Sequence, residues 1–320
     1  MKTHLLWIAS FSLGLSIAPT RAADEKPTHQ EVDPIKFDIG ESGHLKTIAM
    51  DRNGNLLAGV SYIATGDSDY SFAVKTVNPE GQIIATWPMT DGLQPGMIHG
   101  CDNGLVYVAG GGKLAAFSAE GKLHKMIDTD EVSGQQAIAS GIFVSDTYVF
   151  LALGMGNSTR ATEDIWRFKL DLTEPKRIIE RLYGCCSHID LEVLNDQLLI
   201  GENSRHRVNV YDLDGKQLDT WGKRDRVSIE GFAACCNPCN TDIGPDGLIY
   251  TAESGVGRVK KYDAKGKFLG VVGFVDTTVF DGGSRLAAQS CYIPVEVNHD
   301  ASRIYVLDVR THFVRVLEKL

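Results

Sequence analysis

Cysteine and histidine side chains are the residues of this sequence best suited to chemistry. They occur at four separated places, and thiolates with a neutral imidazole are the donors that tetrahedral zinc, or copper, accepts. No local motif joins them, so any shared site depends on the fold. The predicted ligands of a zinc or copper ion are His44, Cys185, Cys186, His188, Cys235, Cys236, Cys239 and Cys291.

Disulfide formation is the alternative use of the same cysteines. The chain has seven cysteines, an odd number, and bridges between neighbouring repeats, such as Cys186–Cys236, would tie the repeats together. Vicinal cysteines bond poorly to each other because the small ring is strained. Cys236-x-x-Cys239 also has the spacing of a chelating or redox pair, and Cys101 is the cysteine expected to stay unpaired. Both interpretations stay open at this point.

Polar residues elsewhere suggest two further sets. Three acids occupy equivalent positions and are each followed by an arginine, and we expect them to bind that arginine rather than to catalyse. These pairs are Glu202 with Arg207, Glu253 with Arg258, and Asp308 with Arg310. A second set, Asn237, Asn240 and Asp242, could supply oxygen ligands to a divalent cation.

The first residues have the pattern of an export signal. Lys2 precedes a charge-free apolar run over 5–18, and Thr20-Arg21-Ala22 offers small residues for cleavage. The run is shorter than the ~20 residues of a membrane span. We therefore expect a signal peptide at 1–22, a flexible segment at 23–34, and an extracytoplasmic protein, periplasmic or secreted, with no membrane span after cleavage.

Charge restricts the partners. The chain carries 32 Lys plus Arg against 41 Asp plus Glu, a net charge of −9, and no basic stripe. We therefore expect the partner to be a small molecule or a protein, and we do not expect nucleic acid.

Internal repeats predict the elements that position these residues. The segment Arg207-Val-Asn-Val-Tyr-Asp-Leu-Asp-Gly215 recurs as Arg258-Val-Lys-Lys-Tyr-Asp-Ala-Lys-Gly266, offset by 51 residues. Each unit consists of short alternating runs separated by turn residues, which is the pattern of four antiparallel strands. Six copies of the first hairpin turn follow along the chain, at 53–54, 103–104, 145–146, 195–196, 246–247 and 301–302.

Six copies of a four-stranded unit predict an all-β fold over 35–320, a six-bladed β-propeller with four-stranded antiparallel blades. The last copy is about one strand short, and a spare N-terminal strand at 35–39 can complete it and close the ring. The innermost strands would begin around one mouth of a central channel. Residues at those starts, among them His44 and the paired cysteines, would then converge.

The repeats resemble the NHL-repeat family. The segment Pro238-Cys-Asn-Thr-Asp-Ile-Gly-Pro-Asp-Gly247-Leu-Ile-Tyr-Thr-Ala-Glu253, followed by Gly257-Arg258-Val259, is similar to the family pattern. The resemblance implies a propeller scaffold rather than one chemistry. The function we expect is an exported binding module whose Cys/His-lined mouth holds a ligand or metal.

Two alternatives remain, and they leave open whether the protein is an enzyme. One is a metal-dependent lyase or hydrolase of the peptidyl-hydroxyglycine lyase or gluconolactonase-like kind. The other is a protein-docking scaffold that uses the loops at 155–164 and 224–234, with its cysteines in disulfides.

Overall fold

Antiparallel strands account for nearly all regular structure in the computed structural model. The structure describes residues 26–36, 39, 42–64, 66, 68–155, 162–185, 188–233, 236–238, 240–275 and 293–320. The strands form six four-stranded sheets, which are the six blades of a β-propeller. The predicted fold is therefore confirmed.

Blades 1 to 5 each use four consecutive strands, with the first strand innermost. Blade 1 contains β2 (His44–Met50), β3 (Leu56–Ile63), β4 (Tyr70–Val77) and β5 (Ile83–Pro88). Blade 2 contains β6 (Met97–Gly100), β7 (Leu105–Gly110), β8 (Lys113–Ser118) and β9 (Leu123–Asp128), followed by the short helix α1 (Thr129–Ser133). Blade 3 contains β10 (Ala137–Val144), β11 (Tyr148–Met155), β12 (Thr162–Lys169) and β13 (Lys176–Tyr183).

The remaining blades include the ring closure. Blade 4 contains β14 (Asp190–Leu194), β15 (Gln197–Glu202), β16 (Arg207–Asp212) and β17 (Gln217–Trp221), with a 3₁₀ turn at Asn203–Arg205. Blade 5 contains β18 (Asn240–Ile243), β19 (Ile249–Glu253), β20 (Arg258–Tyr262) and β21 (Phe268–Phe274). Blade 6 contains β22 (Val295–Val297), β23 (Arg303–Asp308) and β24 (Phe313–Lys319), and its outer strand is β1 (His29–Lys36).

Turn residues in the sequence explain where the strands end. In the first hairpin, Asp51 accepts hydrogen bonds from the backbone N–H groups of Asn53 and Asn55, which closes the turn locally. Gly54 there has a φ of 79°, a conformation that residues with a Cβ rarely adopt. In the first hairpins of blades 2 and 5, Asn103 and Asp246 likewise accept a backbone N–H, and Gly104 and Gly247 have a positive φ.

The closing strand lies earlier in the chain than predicted. β1 spans His29–Lys36, whereas the alternation suggested 35–39, so residues 29–34 belong to the propeller and not to a flexible segment. Its pairing with β24 shifts register between Val32 and Ile35, on either side of Pro34. Proline has no N–H to donate, and a register shift breaks the in–out alternation. The first half of the strand therefore does not show the alternation of apolar and polar residues that predicts a strand.

The apolar core lies between the blades rather than within any one of them. Each of six buried clusters joins two neighbouring sheets; one, for example, packs Trp87 of blade 1 against Phe117 of blade 2. The inner strands β2, β6, β10, β14, β18 and β22 pack side by side in a closed ring. We call the face on which they begin the start face, and the face on which they finish the end face.

Within the described part of the chain, no helix has the length and apolar character needed to cross a membrane.

Candidate functional site

The start face carries those predicted cysteines that the structure describes. The Sγ atoms of Cys185 and Cys236 lie 2.7 Å apart, which places blades 4 and 5 in direct contact through sulfur. This separation is longer than a disulfide bond, which is about 2.05 Å, and shorter than an ordinary contact between two sulfur atoms. Cys186, Cys235, Cys239 and Cys291 lie outside the described residues.

The two predicted histidine ligands have separate surroundings. His188 donates its backbone N–H to the carbonyl of Cys185 at 3.4 Å, and burial lowers the pKa of its imidazole to about 4. His44 instead contacts His312, with 3.2 Å between Nδ1 of His44 and Nε2 of His312. Leu45 donates its N–H to Nδ1 of His312, so this pair joins blade 1 to blade 6.

The metal prediction therefore finds only partial geometric support. Among the described residues, no three His, Cys, Asp or Glu side chains are placed to hold one metal ion. The zinc or copper site stays a prediction, because four of its eight predicted ligands lie outside the described residues.

The acid–arginine pairs have the structural role that we expected. Arg207 lies 2.5 Å from Glu202, Arg258 lies 2.5 Å from Glu253, and Arg310 lies 2.9 Å from Asp308. All three acids are buried. Each pair joins two strands or a strand and its turn within one blade.

The proposed trio of oxygen ligands does not form a site. Asn237 is fully buried and exchanges hydrogen bonds with the backbone of Ser254. Asn240 accepts the N–H of Ile293 from blade 6. Only Asp242 of this trio faces the channel.

A chamber of about 220 Å³ opens at the end face of the channel. All six inner strands or their ends contribute to its wall, so it lies on the axis of the propeller. Its described lining is Ala49, Met50, Asp51, Arg52, Ile98, His99, Gly100, Asp102, Phe143, Glu192, Asp242, Ile243, Glu296, Val297 and His299. Arg52, Asp102 and His299 are exposed and form its rim.

Carboxylates from three consecutive blades meet in this chamber. Burial, with the nearby charges of Asp242, Asp190 and Glu296, raises the pKa of Glu192 well above its ordinary value. Burial raises the pKa of Asp242 to about 7 and that of Asp190, next to the chamber, to about 6. Burial, and then the charges of Asp242 and Asp190, raises the pKa of Glu296.

Three of these four acids also connect neighbouring inner strands. Asp190 accepts the N–H of Thr241, Asp242 accepts the N–H of Val297, and Glu296 accepts the N–H of Met50. Glu192 differs from them, since it is 8% exposed and receives no hydrogen bond from a described residue. Its oxygens are not among the enclosed side-chain atoms that lack a partner, so they face the space of the chamber, where a ligand can bind them.

The opposite wall of the chamber is aromatic. The rings of His99 in blade 2 and Phe143 in blade 3 meet edge to face, with centroids 4.5 Å apart. Burial lowers the pKa of His99 to about 4, so its imidazole is neutral at physiological pH. Nδ1 of His99 lies 3.7 Å from the thiol of Cys101, which is a free cysteine as expected.

Most of the chamber residues were missed by the sequence analysis, which concentrated on strand starts. A usable signal was present: Glu192, Asp242 and Glu296 follow one another at intervals of 50 and 54 residues, close to the repeat length. Aligning the acids in phase with the repeats would have placed them on one axis.

Fold and channel together define a six-bladed β-propeller with an acidic chamber on its axis. No protein-family model matches the sequence. No curated protein matches it either. Solved structures do match. Their sequence identities to this chain are low, so these matches show the fold and nothing further.

Three of these solved structures illustrate the similarity. Regucalcin, a calcium-binding protein from Agrobacterium tumefaciens, is 13% identical with a TM-score of 0.56, over 92% of this chain and 95% of its own. Virginiamycin B lyase from Staphylococcus aureus is 11% identical with a TM-score of 0.54, over 91% and 99%. A Bacteroides thetaiotaomicron protein of unknown function is 13% identical with a TM-score of 0.61, over 92% and 75%.

Proposed function

We propose that the protein is a binding module that takes a small molecule into its central channel through the end face. The observation that carries this proposal is Glu192, a buried carboxylate that lines the chamber and has no hydrogen-bond donor among the described residues. Pockets that bind small molecules are concave, and they combine apolar walls with a few polar groups. This chamber is concave and more polar than most, since eight of its fifteen described lining residues are Asp, Glu, Arg or His, so it suits a polar small molecule.

The test combines the capture of a ligand with a variant in which the rim of the chamber is narrowed. The protein is incubated with a small-molecule extract of its host and examined by native mass spectrometry, which detects any retained compound. His299→Trp is expected to reduce retention by narrowing the exposed rim. The control, His124→Trp, makes the same change on the exposed outer strand β9 and is expected to retain the compound. Retention that is equal in both variants, or absent from the unmodified protein, would contradict the proposal.

A second candidate is the predicted zinc or copper site at the start face. The approach of Cys185 and Cys236 across two blades favours it, since thiolates from separate blades would have to meet there. Protein purified without chelator is expected to hold about one metal ion, and Cys236→Ser is expected to lose it. A disulfide between the same blades is the competing interpretation, and it predicts no retained metal.

An enzymatic version of the channel proposal remains open. The fold is shared with a lyase and with a calcium-binding protein. Asp242, with a pKa raised by burial to about 7, and the neutral His99 are groups suited to proton transfer near neutral pH. Lyase or hydrolase activity predicts that a captured compound is converted, whereas a binding module returns it unchanged.

The cellular setting completes the proposal. We place the protein in the periplasm or outside the cell, as the signal-like segment at 1–22 indicates. Docking of a partner protein is the remaining alternative. Val227, 92% exposed in the loop at 224–234, would be a contact residue for such a partner.

A further inference from the structure

The chamber holds a group of carboxyl groups that no described cation pairs with. Glu192, Asp242 and Glu296 line it, and none of them forms an ion pair with a described lysine, arginine or histidine. Arg52, the arginine at the rim, is exposed and likewise makes no ion pair with the described residues. Buried charges in proteins are normally paired, so this arrangement favours a cation supplied from outside.

A metal ion does not fit this arrangement. The described residues contain no group of three acidic, histidine or cysteine side chains placed around one point. Asp242 and Glu296 are also oriented by the backbone N–H groups of the next blade. Carboxylates that do not surround one point suit a cation with several separate N–H donors better than one that needs a compact shell of oxygens.

Aromatic rings on the facing wall strengthen this conclusion. Phe143 and His99 lie across the chamber from the acids, and an ammonium group is attracted to the face of an aromatic ring. At ~30 Å³ for each water, the chamber has room for about seven water molecules. The volume therefore suits a small molecule or the end of a longer one.

We propose that the chamber binds a protonated primary amine, whose ammonium group donates to Glu192 and lies against the Phe143–His99 wall. This inference rests on the proposed channel binding and names its ligand class. The titratable groups that line the chamber around the ammonium position are Glu192 on β14, Asp242 on β18, Glu296 on β22, His99 on β6, Asp51 in the first hairpin turn, and Arg52, Asp102 and His299 at the rim. Asp190 on β14 lies next to the chamber.

Affinity is expected to increase with pH. Burial raises the pKa of the chamber carboxyls, so some of them are protonated near neutral pH and lose their protons when the amine binds. Alkyl amines stay protonated up to about pH 10. Binding should therefore strengthen from about pH 5 to about pH 8, with release of protons to the buffer.

Calorimetric titration of the mature protein tests the inference. The probes are methylamine, benzylamine and butane-1,4-diamine, each used up to about 10 mM. Benzyl alcohol serves as the neutral counterpart of benzylamine, and calcium chloride as the metal probe. At least one amine should bind, benzyl alcohol should not, and Glu192→Gln should weaken amine binding by at least about tenfold. Glu120→Gln, the same change in an exposed turn, should leave binding unaltered.

Each other outcome overturns the inference. Binding of none of the amines, equal binding of benzyl alcohol, binding of calcium alone, or unchanged affinity in Glu192→Gln would each do so. The proposed function fails separately. If no amine binds but the host extract yields a neutral or anionic compound that His299→Trp excludes, the channel binds ligands but not amines. If no amine binds and the extract yields no compound, both proposals fail.

Discussion

At the scale of the residue, Glu192 is the most informative side chain. It lies in β14, and no described residue donates a hydrogen bond to its carboxylate. Asp190, two residues earlier, shows the usual alternative: it is held by Thr241 and Asn240 of the next blade. Two acids on one strand thus have different roles, one structural and one available to a ligand.

Glu192→Gln is expected to stabilise the unliganded protein at high pH. Burial, with the neighbouring acids, raises the pKa of Glu192 in the folded protein. This carboxyl therefore favours folding below its unfolded pKa of about 4.3, and the contribution is lost as the pH rises through the folded pKa. Glutamine does not ionise, so the variant does not lose this stability as the pH rises. The melting temperature of the variant should exceed that of the unmodified protein by roughly 2–4 °C for each kcal/mol regained at about pH 8.

The comparison at low pH supplies the check. At about pH 3 the two proteins should melt within about one degree of each other, because the acid is then almost fully protonated in both states. Glu120→Gln should show no comparable gain at either pH. A Glu192→Gln variant that is less stable at about pH 8 would mean that the carboxylate has a structural partner.

At the scale of the element, one buried lysine binds the loop at 222–233 that follows β17. Nζ of Lys260 on β20 donates to the carbonyls of Gly231 at 2.8 Å and Ile229 at 3.2 Å, and lies 3.4 Å from Glu253. Burial lowers the pKa of Lys260 to about 8, so holding its charge has a cost that these contacts offset. The loop leads into β18, and so into the chamber.

Replacing Lys260 by methionine is expected to free this loop. The change removes the donor to both loop carbonyls and leaves them buried, and it should lower the unfolding free energy by about 3 kcal/mol. Amide hydrogen exchange at Phe232, whose N–H bonds the carbonyl of Lys223, should accelerate. Lys261→Met, the same change at the next residue, should alter neither quantity. Unchanged exchange at Phe232 in Lys260→Met would show that the loop is held by other contacts.

The closing strand β1 is the second element with a testable role. It covers the edge of β24, and Val32 and Ile35 pack on the cluster between blades 1 and 6. Deletion of 26–36 should lower the melting temperature by several degrees and promote aggregation through the exposed edge. A synthetic peptide of that sequence should restore the melting temperature, and a scrambled peptide should not. A deletion variant that melts like the full chain would show that the ring is closed without β1.

At the scale of the whole molecule, the cysteines decide how the ring is reinforced. Cys185 and Cys236 connect blades 4 and 5, where the described residues place no continuous sheet across the blade boundary. If the chain is exported as predicted, its intact mass under denaturing conditions should lack residues 1–22. It should also be about 2 Da below the fully reduced mass for each disulfide. Reduction should remove that deficit; a mass equal to that of the reduced chain would exclude disulfides.

The sequence predicted the architecture far better than the site. Asp-Gly and Asn-Gly turns and the alternating runs are local signals, and their repetition specified six blades. The position of β1 was less predictable because Pro34 interrupts its alternation. Cysteines attracted attention through their residue type. Glu192 and Glu296 did not, because acids are common at protein surfaces and only their phase with the repeats marks these two as channel residues.

Ring closure also sets the order of events during folding. Glu31 of β1 and Arg315 of β24 contact each other although 284 residues separate them. Such a high contact order slows folding, and β1 must wait until the last strand of the chain has been synthesised. Until then the edge of blade 6 is open to wrong partners. The final step of folding is therefore the one most exposed to aggregation.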